Sequence, residues 1–311
     1  MTTWLILTRA VHIGACLLFF GVFAFDRFVA ISIYSNGRSE IVNYWKSRVK
    51  IFSLFLPPVI FLSGIAWFAL VAMNMSGQPL QLEILKTVWT RTQFGTVWKW
   101  RLIFWLAAIA VAFFYFLKLK ASLQKNLIWL QLFFSGALLG SLAWAGHGLE
   151  GSRWHLFADV LHLLVAGFWP TGVLPLFLLL RKLRQISEPA RWNFIAALVR
   201  RFSALSLGSV ALLAATGFIN GWFLAGSFFN LFGQTYGRIL MIKIVLFIFA
   251  VAIGAANLLR LKPRVLIASS QSQSAEAAVA QLQFNVQMEL VLGTAIVIVV
   301  AILGILPPTV H

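Results

Sequence analysis

Between His155 and Phe177 the sequence reads HLFADVLHLLVAGFWPTGVLPLF. The run is apolar enough for a membrane helix, yet its opening turns hold His155, Asp159 and His162. On an α-helix these three fall within a roughly 60° arc, and Trp169 lies on the same face. Ionisable side chains inside a bilayer are costly and normally face the protein interior. Neutral imidazole nitrogens bind copper, zinc, nickel or iron. A carboxylate either joins the ligand set or fixes a histidine tautomer from behind. HxxxDxxH on one face is therefore a candidate metal site. The competing reading is a hydrogen-bonded polar cluster that holds helices together.

Composition says what must position these groups. The 311 residues are 61% hydrophobic and only 11% charged, with a mean hydropathy of +0.90. Soluble domains carry about 25% charged residues, so the chain is read as an integral membrane protein. A spanning helix needs about 20 apolar residues. Eight stretches qualify, at roughly 4–26, 51–73, 98–118, 127–147, 156–180, 203–224, 238–259 and 286–306. They are too long and uniform for barrel strands. The expectation is an all-α, polytopic helical bundle forming a single integral membrane domain over residues 1–311. The first stretch lacks the basic start and small-residue cleavage site of a signal peptide, so it is read as a retained helix. Residues 74–97 are expected to include a short amphipathic helix, and 269–283 to be part helix and part linker. No internal repeat stands out.

Most of the 25 Lys and Arg residues fall in alternate loops: Arg27 to Lys50, Lys118 to Lys125, Arg181 to Arg201 and Arg260 to Arg264. The positive-inside rule places those loops in the cytoplasm and both termini outside. The net charge of +17 is thus read as contact with anionic lipid, not with nucleic acid. In this topology all five histidines fall in the outer half. His147 ends the fourth helix and His155 begins the fifth. His162 lies about 10 Å deeper, and His12 enters with the first helix to about 12 Å. His311 follows Pro307-Pro308 at the outer end. Cys16 sits one turn from His12, and Met73 and Met75 sit at the outer end of the second helix. A thiol and thioethers suit Cu(I), although buried cysteine and methionine are also ordinary apolar filling. Asp26, Asn220, Lys243, Asn257 and Glu289 are further polar groups within apolar runs, with Lys243 read as snorkelling outward. No GxxxxGK[ST], HExxH or GxSxG is present.

Several ordered segments are similar to the copper-resistance D (CopD) family of inner-membrane proteins. GHGLEGSRWHLFADVLHLLVAGFWPTGVLPLF resembles its Gly-His segment, Asp-x-x-His pair and Trp-containing turn. RRFSALSLGSVALLAATGFINGW, TYGRILMIKIVLFIFAVAIGAANLLRLKP and MELVLGTAIVIVVAILGILPPTVH resemble its last three helices, and RAVHIGACLLFFG its first. The family turn Trp-x-Gly-Gly reads Trp169-Pro170-Thr171-Gly172 here, and the proline is expected to kink the helix. The resemblance implies copper handling at the bacterial inner (cytoplasmic) membrane, beside a small periplasmic copper-binding partner of CopC type. It implies a metal set of His12, His147, His155 and His162, with Asp159 in support and His311 added. The resulting expectation is a copper-binding transport or delivery protein and not an enzyme. The alternative is a haem b-binding oxidoreductase, with histidines such as His12 and His162 as axial ligands.

Overall fold

A bilayer offers backbone N–H and C=O groups no partners, so apolar runs of this length close their hydrogen bonds internally as helices. The computed structural model describes residues 2–31, 34, 39–117, 121–145, 153–187, 191–225, 228–267 and 273–307. His147 and His311 lie outside the described residues. The helices are α1 (Thr2–Phe28), α2 (Ser39–Ser76), α3 (Leu82–Arg91), α4 (Gln93–Tyr115), α5 (Ala121–Gly140) and α6 (Arg153–Arg184). They continue as α7 (Arg191–Ala225), α8 (Phe228–Gly233), α9 (Thr235–Ala256), α10 (Lys262–Ile267) and α11 (Gln273–Leu303). A 3-10 turn at Ser141–Ala145 extends α5, and a π turn at Asn257–Leu261 joins α9 to α10. Among the described residues there is no strand, and 8 helices are long and apolar enough to cross a membrane. The fold is the all-α membrane bundle expected. Helices outrun the apolar stretches because polar turns continue beyond them: α2 starts at Ser39 and carries Glu40, Lys46 and Arg48 before its apolar run. The expected short helix between the second and third spans is α3. Thr92 separates it from α4 and caps α4 by accepting a hydrogen bond from the Gly95 N–H at 3.0 Å.

Neighbouring spans pair as α1–α2, α4–α5, α6–α7 and α9–α11, while α1 also packs on α5, α6 and α11. The apolar stretch ending α5 is 67% buried inside the protein and those of α1 and α6 are each 56% buried, against 6% for α9. α1, α5 and α6 are thus the inner helices and α9 is a peripheral one. A helix apolar all round belongs in such an interior, and Phe19, Phe23 and Phe25 of α1 are fully buried. Of the inner helices, α1 and α6 touch backbone to backbone. A Cβ on Gly21 would stand 2.4 Å from the Gly167 carbonyl. α6 remains helical through Pro170 and Pro175. Gly304 at the end of α11 lies against Arg9 near the start of α1, so these helix ends share one face, the terminal face. The opposite face carries ion pairs between helix ends: Arg191 to Glu276 at 2.9 Å and Lys182 to Glu40 at 2.8 Å.

Asp26 shows how one inward carboxylate is accommodated near that opposite face. It is 3% exposed and accepts hydrogen bonds from Tyr34, from Trp45 Nε1 at 2.8 Å and from Tyr115 at 2.7 Å. Three donors on three segments make it a structural staple. Asp26→Asn keeps the size but turns an NH2 toward donors. We expect it to lower stability by about 1–3 kcal/mol, read as a drop in thermal midpoint in detergent. An unchanged midpoint contradicts this role.

Candidate metal-binding site

The three groups on α6 meet α7 rung by rung. His155, 2% exposed, stacks on Phe223 with ring centroids 5.1 Å apart. Asp159 accepts from Asn220 Nδ2 at 3.2 Å. His162 Nδ1 lies 2.9 Å from Thr216 Oγ1. The Thr216 hydroxyl donates to the Leu212 carbonyl at 2.6 Å, so its oxygen accepts the imidazole proton. That arrangement favours the tautomer in which Nδ1 carries hydrogen and Nε2 presents its lone pair. The ring lies over Gly217, where a Cβ would come within 3.4 Å of Cε1. Lys243 of α9 adds a positive charge that acts on both Asp159 and His162. An imidazole, a carboxylate and an ammonium thus share one apolar surround.

His12 sits in a different cluster. Its Nδ1 lies 3.1 Å from the Ile60 carbonyl and 3.1 Å from Ser63 Oγ, both on α2. A carbonyl only accepts, so Nδ1 again carries the hydrogen. Nε2 accepts from Arg101 Nη2 of α4 at 2.6 Å, and the Cys16 sulfur is 3.7 Å away. Arg101 also donates to Ser141 at 2.7 Å and to the Leu138 carbonyl at 3.0 Å. Trp67 and Trp98 wall the ring, with Arg9 over Trp67 at 4.8 Å and Arg101 over Trp98 at 5.2 Å. Both nitrogens of His12 are therefore engaged by protein.

The structure brings His155, Asp159 and His162 onto one face, as their spacing requires, and turns that face toward α7. His12 looks toward α2 and α4 instead. Among the described residues, no three His, Cys, Asp or Glu side chains close around one point. The haem b alternative finds no support. It needs two imidazoles directed at one iron, and His12 Nε2 already accepts from Arg101. Met73 and Met75 end α2, with Met75 exposed. Sequence reasoning passed over Arg101, Thr216 and Asn220 as partners and took Lys243 for a snorkelling residue. The available signal was a cation within each of two largely apolar runs, which demands a partner.

Further along α6, Trp169 borders a cavity of about 120 Å³ lined also by Ser203, Ser206, Asn257 and Glu289. Glu289, 6% exposed, accepts from Asn257 Nδ2 at 2.7 Å, and Asn257 accepts from Asn285 at 2.6 Å. Asn257 opens the π turn, a distortion frequent at functional sites. Glu289 thus bonds an asparagine within the bundle.

Residues 1–156 match the family described as Copper resistance protein D-like, N-terminal domain. Residues 196–303 match the family described as Copper resistance protein D. The chain is 30% identical over 211 residues to "Copper resistance protein D" of Pseudomonas syringae pv. tomato, covering 65% of this chain and 66% of that protein. It is 37% identical over 131 residues to "Copper transport protein CutJ" of Bacillus subtilis, covering 41% of this chain and 23% of that protein. It is 25% identical over 274 residues to "Inner membrane protein YebZ" of Escherichia coli, covering 85% and 86%. The chain thus spans just under two thirds of the first relative's length and under a quarter of the second's. No solved structure matches it. With family matches over residues 1–156 and 196–303, the chain is a multi-pass membrane protein that belongs to the copper resistance protein D family.

Proposed function

We propose that the protein captures a copper ion at His162 and Asp159, near the terminal face, and delivers it into or across a bacterial inner membrane. The observation that carries this reading is the contact of His162 Nδ1 with the Thr216 hydroxyl. Thr216 holds the Nδ1 proton, which leaves Nε2 as a ligand lone pair one turn from a carboxylate. Neutral imidazole nitrogen suits copper, and the hydroxyl behind it orients the ring. His155 is the third candidate ligand on the same face, and His147 and His311 are candidates from the sequence. Basic loops on the opposite side support an external terminal face. A small periplasmic CopC-like protein is the natural donor or acceptor there. Names given to the relatives concern copper resistance and transport, which favours a carrier over an enzyme.

The cavity beside Trp169 supports an onward path. Trp169 is seven residues beyond His162, so about 10 Å further into the bundle. Glu289 offers the carboxylate there. Glu289→Gln is expected to leave copper capture intact and to slow copper flux several-fold in proteoliposomes. Unchanged flux removes Glu289 from the path. The capture step itself is tested by copper titration of purified protein against the His162→Ala variant.

A further inference from the structure

We infer that the chain is built from two copies of one four-span unit, and that the first copy's equivalent of the copper site is closed by Arg101. The guanidinium stands where the second copy admits a metal cation. The inference rests on the His162 reading above for what the open copy binds.

The two units are α1 to α5 and α6 to α11. In each, the first span packs on the second and on the last, and the last two spans pair. In each, a short helix, α3 or α8, precedes the third span. One extended residue then caps that span: Thr92 with φ −112° and ψ 155°, Gln234 with φ −114° and ψ 154°. Both cap carbonyls accept from the residue four later at 3.1 Å. An aromatic-glycine pair follows each cap, Phe94-Gly95 and Tyr236-Gly237. Six residues after each glycine stands a cation, the buried Arg101 or the half-buried Lys243. The arrangement is that of parallel membrane repeats related by an axis along the membrane normal.

The side chains around each histidine correspond as well. Ser63-Gly64 of α2 and Thr216-Gly217 of α7 hold His12 and His162 in the same way. Each hydroxyl donates to the carbonyl four residues back, at 2.5 and 2.6 Å. Each lies against Nδ1, at 3.1 and 2.9 Å. A Cβ on either glycine would meet the ring at Cε1, at 3.1 and 3.4 Å. Three residues before each histidine comes Arg9 or Asp159. Four residues after each glycine's predecessor comes its partner, Trp67 for Arg9 and Asn220 for Asp159. Six positions on three helices match in order, and the hydroxyl, glycine and Nδ1 contacts of the two histidines match as well.

The differences decide what each copy can hold. In the first, Arg101 fills the Nε2 lone pair at 2.6 Å, and Arg9 replaces the carboxylate. Among the described residues no carboxylate pairs with either arginine. A guanidinium stays charged and holds its fork rigidly, so it does not yield to a metal. In the second, Asp159 balances Lys243, a point charge on a flexible stem. One half receives the cargo, while the other carries a permanent internal cation that braces α1, α2, α4 and α5.

The test is copper stoichiometry by elemental analysis on the full chain in detergent. The parent should hold about one copper, and His12→Ala should hold the same. The Arg9→Asp, Arg101→Lys double variant, which gives the first copy the residues of the second, should hold about two. Loss of copper in His12→Ala overturns the inference, and so does an unchanged count in a monodisperse double variant. His12→Ala decides the matter if the double variant fails to fold. A parent without copper contradicts the proposed function itself, and the inference falls with it.

Discussion

His162→Ala removes the stoichiometric copper from the purified chain while leaving it folded and monodisperse. The ring touches Gly217 and Thr216 at its rim, so truncation leaves a small hole but breaks no interhelical ion pair. What it deletes is the Nε2 lone pair that the Thr216 hydroxyl keeps available. Thr216→Val separates ligand from support. Its isosteric side chain cannot hold the Nδ1 proton, and partners behind a ligand are worth about 10–100-fold in metal affinity. We therefore expect a graded series by competition titration: parent strongest, Thr216→Val about 10–100-fold weaker, His162→Ala without a measurable site. Equal affinity in all three contradicts the site. Poor folding of His162→Ala would mark the polar ladder as mere glue between α6 and α7.

The largest structural effect is expected at Gly21. Its Cβ position lies 2.0 Å from Thr171 Oγ1 and 2.4 Å from the Gly167 carbonyl oxygen. The hydroxyl can rotate away, but the backbone carbonyl cannot. Any side chain therefore forces α1 and α6 apart, and small residues are what permit such approach in membranes. These are inner helices, so the separation is felt by both groups of spans. Gly21→Val is expected to destabilise the protein by at least about 1–3 kcal/mol, the range for overpacked cores. The readout is lost thermal stability and aggregation in detergent. Gly208→Ala on α7 is the control, because a Cβ there meets nothing within 4 Å. Similar melting of Gly21→Val and the parent contradicts the close contact.

Much of this fold was legible in the sequence because membrane helices announce themselves by length and apolarity alone. All eight spans, the short α3 and the shared face of His155, Asp159 and His162 follow from those rules. Helix ends were less legible. Hydropathy marks where lipid contact stops, whereas α2 and α7 continue as helix through polar turns. The partners of each histidine were hidden for a different reason. Spacing places residues on one helix face but says nothing of which neighbour that face meets. His12 therefore looked like a companion of His162, when its ring turns the other way toward Arg101. The duplication was illegible because the units share only short pairs such as Phe-Gly with Tyr-Gly and Ser-Gly with Thr-Gly. The distance between counterparts also shifts from helix to helix. Contacts restored the correspondence that apolar filling had erased.

Elemental analysis combined with a visible spectrum of the purified, copper-loaded chain tests the central claim most directly. The account predicts about one copper per chain and no Soret band, with the copper lost in His162→Ala. A chain that retains no copper after loading, or a red preparation with a Soret band, would contradict it.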